Sequence, residues 1–144
     1  MEKIANCLNE FLSDLNVYFR KVQNYHWNIQ GKDFFVMHAK LEEYYDELAE
    51  QIDEIAEHIL ILGYQPLGTL KDYLETTKIQ EAENKKICVD EVLKGLIEGY
   101  THLLEKATKI KQEADTQNNY ATSSLMDNYI SEYSKKLWML NQSK

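Results

Sequence analysis

From Phe35 to Leu62 the chain runs without a glycine or a proline. A helix of that length, about 28 residues, spans about 42 Å at 1.5 Å per residue. The whole sequence of 144 residues holds only 5 glycines and one proline. So little punctuation leaves few turns and favours a few long helices over many short strands.

The flanking segments carry the same period. Ile4, Leu8, Phe11, Leu15, Tyr18, Val22, Tyr25 and Ile29 step by four and three, the signature of a buried helical stripe. Gly31 stops this first helix and Asp33 is placed to cap the second. Gly63, Pro66 and Gly68 then break the chain. Thr69, with Asp72 three residues on, resembles a capping box and predicts a short helix through about Ile79. After the polar stretch Gln80 to Lys86, a third long helix carries Val92, Leu96, Tyr100, Leu103, Ala107 and Ile110. Asp115 to Asn119 reads as a loop, and a fourth helix carries Leu125, Tyr129, Ile130, Tyr133, Leu137, Trp138 and Leu140. The expected fold is all-α, one domain over residues 1–144: a four-helix bundle with a short helix in the connection between helices two and three. A long connection there suggests the crossover topology of ferritin-like folds.

Composition narrows the setting. Apolar residues make up 44% and charged residues 28%, which is too apolar for a disordered chain. No run approaches the roughly 18 apolar residues of a membrane span. The opening MEKIANCLNE has no apolar signal region, and Cys7 and Cys88 cannot build a disulfide framework, so a cytoplasmic location is expected. Both thiols are expected to be buried small hydrophobes. The formal charge is −8 and neither end is a basic arm, which argues against nucleic acid and for cations as partners.

Di-iron sites inside one bundle usually take Glu-x-x-His from two helices. The residues three before His26, His38, His58 and His102 are Gln23, Phe35, Ile55 and Gly99, so that pattern is absent. The second helix offers another arrangement. His38 and Glu42 are four apart, as are Asp53 and Glu57, and all four fall on one stripe of the helix. Yet Glu42 and Asp53 lie about 16 Å apart along the axis, too far to share one ion. Two copies remove the difficulty. The midpoint of 38 and 57 is 47.5, and so is the midpoint of 42 and 53. Two antiparallel copies related by a twofold axis near Glu47 and Leu48 would therefore set His38 level with Glu57 of the partner and Glu42 level with Asp53 of the partner. The midpoint of 26 and 38 is 32, at the turn, so His26 can stand beside His38. The candidate metal-binding and catalytic set is His26, His38, Glu42, Asp53 and Glu57, a mixture of imidazole and carboxylate suited to ferrous iron or zinc. Carboxylates four apart on an acidic helix are ordinarily solvated surface, as expected for Asp46, Glu50 and Glu54; the mirrored spacing distinguishes this set. His58 and His102 lack such partners and read as structural or surface residues. Trp27 reads as interface packing, with an oxidisable ring close to the site as the alternative.

These residues also carry a resemblance. The run Asn24-Tyr25-His26-Trp27-Asn28-Ile29-Gln30-Gly31, then Phe34-Phe35-Val36-Met37-His38 and Leu41-Glu42-Glu43-Tyr44-Tyr45, resembles the Dps family of mini-ferritins. So do Ile52-Asp53-Glu54-Ile55-Ala56-Glu57-His58-Ile59-Leu60, Leu62-Gly63-Tyr64-Gln65-Pro66, Thr69-Leu70-Lys71-Asp72-Tyr73-Leu74 and the closing Trp138-Met139-Leu140. The resemblance implies a hollow homo-dodecamer with iron-oxidation centres between twofold-related chains, at positions matching His26, His38, Glu42, Asp53 and Glu57. It implies that two ferrous ions per interfacial site are oxidised, preferentially by hydrogen peroxide, and that ferric iron is stored inside, protecting against oxidative damage.

Two features depart from the family pattern. Many members bind DNA through a lysine-rich N-terminal tail, whereas here the first helix starts by about Ile4, and twelve copies at −8 would carry −96. DNA binding is therefore expected to be weak or absent; the rival reading is a DNA-condensing protein in which iron is secondary. The acidic iron-uptake pore that the resemblance places near the start of the fourth helix would fall to Asp115 and Asp127, in a stretch that Ser123 and Ser124 make less acidic.

Overall fold

A computed structural model describes residues 1–144. Four long helices form the bundle: α1 (Glu2–Asn28), α2 (Phe34–Ile61), α4 (Val89–Thr116) and α5 (Tyr120–Gln142), with the short α3 (Leu70–Thr76) between α2 and α4. The all-helical ferritin-like bundle and its short extra helix are as the sequence leads one to expect. No helix is long and apolar enough to cross a membrane.

Every member of the α1 stripe, from Ile4 to Ile29, is buried, and so is every member of the α4 stripe. α1 packs along α2, α4 along α5, and α1 also lies against α4. Gly99 lets α1 and α4 approach closely. A Cβ there would overlap the Tyr18 ring, whose hydroxyl donates to the Leu96 carbonyl at 3.0 Å. Between α2 and α5 the connection is polar instead. His58 meets Thr122, Tyr133 donates to Gln51, and Lys136 meets Glu47, across an open groove.

The helix ends explain where the sequence reading and the structure part. Gly63, at φ +89°, closes α2 with paired bonds from Gly63 N–H to Leu60 O and from Tyr64 N–H to Ile59 O. This double bond needs a left-handed residue, which glycine supplies without a Cβ clash. Asn118, at φ 56°, repeats it at the end of α4, and Asn119 caps α5 by accepting from Thr122 N–H. The expected loop from Asp115 to Asn119 therefore shrinks: α4 persists to Thr116. Thr69 does cap α3, accepting from Asp72 N–H, but α3 ends at Thr76, short of Ile79. Asp33 stands at the start of α2 without a side-chain capping bond. A two-residue parallel pairing of β1 (Ile29–Gln30) with β2 (Ile87–Cys88) went unread, since two residues show no alternation. Ile29 is buried in that bridge, just beyond α1.

Three side chains sit otherwise than expected. Trp138 is 62% exposed, because α5 turns Leu137 and Leu140 toward the bundle instead. Cys88 is exposed at the first position before α4, and Cys7 is only partly covered, so neither is a buried hydrophobe.

Asp14, buried on α1, ties three elements together. It accepts from Thr77 Oγ1 at 2.7 Å, from Lys78 N–H at 2.8 Å and from His102 Nε2 at 2.7 Å. Burial alone would push its carboxyl up. The bonds from His102, Lys78 and Thr77 outweigh that and hold it below the ordinary aspartate range. Its stabilising contribution is present above the unfolded-state value and disappears as the pH falls through the depressed one.

Two outcomes are expected. Gly99→Ala should cost about 1–3 kcal/mol in urea unfolding, through overpacking against Tyr18. Asp14→Asn should flatten the acid limb of stability, measured as urea midpoints between about pH 7 and about pH 3, relative to the unchanged protein.

Candidate functional site

The turn from α1 into α2 brings His26 and His38 face to face. Their rings stack at 3.7 Å between centroids with 12° between planes. Each ring donates from Nδ1 to the other residue's backbone carbonyl: His26 to His38 O at 2.6 Å, and His38 to His26 O at 2.8 Å. A carbonyl only accepts, so both rings carry their proton on Nδ1. In the neutral form of such a ring Nε2 keeps its lone pair, the arrangement that orients metal-ligating imidazoles. Phe34 stacks on His38 at 4.9 Å, and Tyr45 meets His26 edge-on at 5.3 Å. His26 is buried while Glu42, one α2 turn beyond His38, is exposed, with its Oε1 3.8 Å from His26 Nε2.

The second pair lies farther along α2. Asp53 and Glu57 are both exposed, and no lysine or arginine pairs with them. A hydrogen bond with Asp53, then the charge of Asp53, raises the Glu57 carboxyl above its ordinary value. Two like charges held together on an open face are relieved by a shared proton or by a cation. Asp53 and Glu57 also border an open depression toward α5, beside Glu54 and His58.

The structure thus brings His26 against His38, sets Glu42 3.8 Å from His26 without closing a three-residue metal cluster, and pairs Asp53 with Glu57, but it does not bring the two groups to one point. No cluster of three or more metal-ligating side chains is complete within one chain. Phe35, His38, Glu42, Asp46, Ala49, Asp53, Glu57 and Leu60 share the outer stripe of α2 and are all exposed except the half-covered His38. Phe35 is 85% and Leu60 54% exposed. Their midpoint is also 47.5. On the opposite face, Leu41, Leu48, Ile55 and Ile59 are buried. Trp27, beside His26, is exposed as well.

His58 and His102 are structural. His58 is buried against Thr122 Oγ1 at 2.8 Å, and burial lowers its basicity against the opposing pull of Glu54. His102 serves Asp14. Asp46, Glu50 and Glu54 are exposed, as expected of solvated charge. Sequence reasoning missed Phe34 and Tyr45 as ring supports; the spacing of Phe34 four residues before His38 was the available signal. It also missed Lys111, which lies 2.8 Å from Asp127 and 3.9 Å from Asp115 and donates to Ser123 at 2.7 Å. The two candidate pore acids are therefore already paired with one lysine.

Comparison with known proteins is consistent along the whole chain. A Ferritin family model, described as a ferritin-like domain, matches residues 5–143. The chain is 32% identical to the DNA protection during starvation protein of Helicobacter pylori, covering 96% of each chain. It is 36% identical to DNA protection during starvation protein 2 of Bacillus anthracis, covering 96% of this chain and 94% of the relative. In structure it resembles the DPS protein of Vibrio cholerae O1, described as a member of a broad superfamily of ferritin-like diiron-carboxylate proteins. That match has a TM-score of 0.95 at 40% identity and covers 98% of this chain and 88% of the other.

Proposed function

The chain belongs to the Dps family within the ferritin-like superfamily, and from that premise we propose that it oxidises ferrous iron at sites shared between two copies and stores the ferric product inside a dodecameric cage. The observation that carries this reading is the divided ligand set. Two locked imidazoles with free Nε2 atoms stand near Glu42 at one end of an exposed stripe, and an unpaired carboxylate couple stands at the other. An antiparallel copy about the 47.5 midpoint joins the halves into two equivalent sites. The same register sets Phe35 beside Leu60 of the partner, so apolar surface is buried where the ligands meet.

At such a site His26, His38 and Glu42 hold iron from one chain, and Asp53 and Glu57 hold it from the other. Iron is the substrate here. Hydrogen peroxide takes one electron from each of two ferrous ions, its O–O bond breaks, and two protons complete two waters. Keeping both reductants within reach of one peroxide avoids releasing a hydroxyl radical. That positioning is the contribution of the protein. The carboxylates offset the charge of the product, and the Nδ1 bonds keep both imidazoles pointed at the metal without reorganisation. Protection against oxidative damage follows from consuming both reagents, and the cytoplasm is where these substrates and the two free thiols coexist.

The names of the relatives raise DNA as a partner. The net charge of −8 per chain opposes binding to a phosphate backbone, whose affinity comes from lysine and arginine contacts.

Two experiments check the proposal. In stopped-flow oxidation of ferrous iron by hydrogen peroxide, the double variant Asp53→Ala/Glu57→Ala should fall to the protein-free rate, while His58→Gln should not. Unchanged oxidation in the double variant would show the mirrored carboxylates to be structural. In a low-salt gel shift, duplex DNA should stay unretarded; tight binding that fades steeply with added salt would favour the DNA-condensing alternative.

A further inference from the structure

The chain has one arginine, Arg20 on α1, and no carboxylate pairs with it. Its guanidinium carbon lies 5.8 Å from the ring centre of Phe19 and 5.8 Å from that of Trp27. Nη1 donates to Gln23 Oε1. A guanidinium has five N–H donors, so most of them stay free. Lys21 follows, half-buried and also without an ion-pair partner. Burial pushes its ammonium down against the opposing pull of Glu98. A half-buried cation without a counter-ion carries a desolvation cost that a bound anion relieves.

Both side chains border a pocket of about 290 Å³ between α1 and the segment that leads into β2. Trp27, 54% exposed, borders it too. Three amides line the same pocket in a chain. Asn28 Nδ2 donates to Asn24 Oδ1 at 2.7 Å, and Asn24 Nδ2 donates to Asn84 Oδ1 at 3.4 Å. That order leaves Asn28 Oδ1 and Asn84 Nδ2 without a protein partner. Glu81 is the one carboxylate among the lining residues. A second depression of about 240 Å³ shares Lys21, Asn24, Glu81 and Ala82 with the first, so the space continues past Lys21.

These groups specify a ligand. Two adjacent cations match one group of about two negative charges, and a phosphate monoester carries about −1.5 to −2 at pH 7. The guanidinium fork fits phosphate oxygens bidentately. An exposed indole offers a face on which a nucleobase stacks. A free amide acceptor and a free amide donor suit the edge of such a base, and a carboxylate suits the hydroxyls of a ribose. A nucleic-acid backbone fits less well, since its affinity comes from many lysine and arginine contacts and this pocket has two. We propose that the pocket binds a nucleoside monophosphate, with its phosphate on Arg20 and Lys21, its base against Trp27 and its ribose toward Glu81. The site shares no residue with His26, His38, Glu42, Asp53 and Glu57, so it stands whether or not the chain oxidises iron.

The test uses the full-length protein in metal-free buffer. Binding is read by calorimetry and by quenching of Trp27 fluorescence in a Trp138→Phe background, which leaves one indole. The probe is adenosine 5′-monophosphate, compared with adenosine and with inorganic phosphate. The monophosphate should bind saturably and quench Trp27, and each half alone should bind at least about tenfold more weakly. Arg20→Gln, at an exposed position that keeps the fold, should weaken the monophosphate about tenfold or more, the scale of a hydrogen bond to a charged group. Lys86→Gln removes the same charge from an exposed position outside the pocket and should leave binding unchanged. No saturable binding by about 1 mM overturns the proposal, and so does unchanged binding in Arg20→Gln. Equal affinity for inorganic phosphate would reduce the pocket to an anion site, and an equal loss in Lys86→Gln would reduce the effect to overall charge; either result contradicts a nucleotide site. Displacement of the monophosphate by duplex DNA would assign the pocket to a phosphate backbone and overturn it as well.

Discussion

Leu41, Leu48, Ile55 and Ile59 must face the bundle, and that requirement orients the whole of α2. In a helix of 28 residues without a break, the opposite face is settled at the same time. His38, Glu42, Asp53 and Glu57 stand on it because no other face is left. A continuous helix also keeps the His38–Glu42 pair and the Asp53–Glu57 pair apart at a fixed distance. Packing in the core thereby determines which face of α2 carries these four side chains.

The imidazole half shows how little machinery such a site requires. Two backbone carbonyls at a helix–turn–helix junction fix the orientation of two rings and the position of the proton on Nδ1. Phe34 and Tyr45 then brace the rings from the sides. The carboxylate half has no such support and depends on exposure and mutual repulsion to remain available. One half is preorganised and the other is free to adjust, a combination that fits the proposed binding of ferrous iron and release of a ferric product.

Much of this was legible in the residues. The α1 and α4 stripes have a strict helical period because each buries one narrow face, and the α3 cap at Thr69 is a local bond between near neighbours. The mirrored ligand spacing was legible because helical rise converts residue numbers into distance. Other features were hidden for equally physical reasons. The Ile29–Ile87 bridge joins residues far apart in sequence through two backbone pairs. Trp138 is apolar at a position that α5 turns outward. The Lys111 pairings and the Tyr129–Glu54 bond each depend on how neighbouring helices rotate, which periodicity within one helix does not report.

The claim that each site is divided between two copies is tested most directly by mixing. Assemblies made only of His38→Ala chains, or only of Asp53→Ala chains, should both be inactive toward ferrous iron and peroxide. Refolded together at equal amounts, about a quarter of the sites should regain every ligand, because each mixed twofold pair holds one intact site of two. Recovered activity near that fraction is the result this account predicts. A mixture as inactive as its parents would place all five ligands within one chain and contradict it.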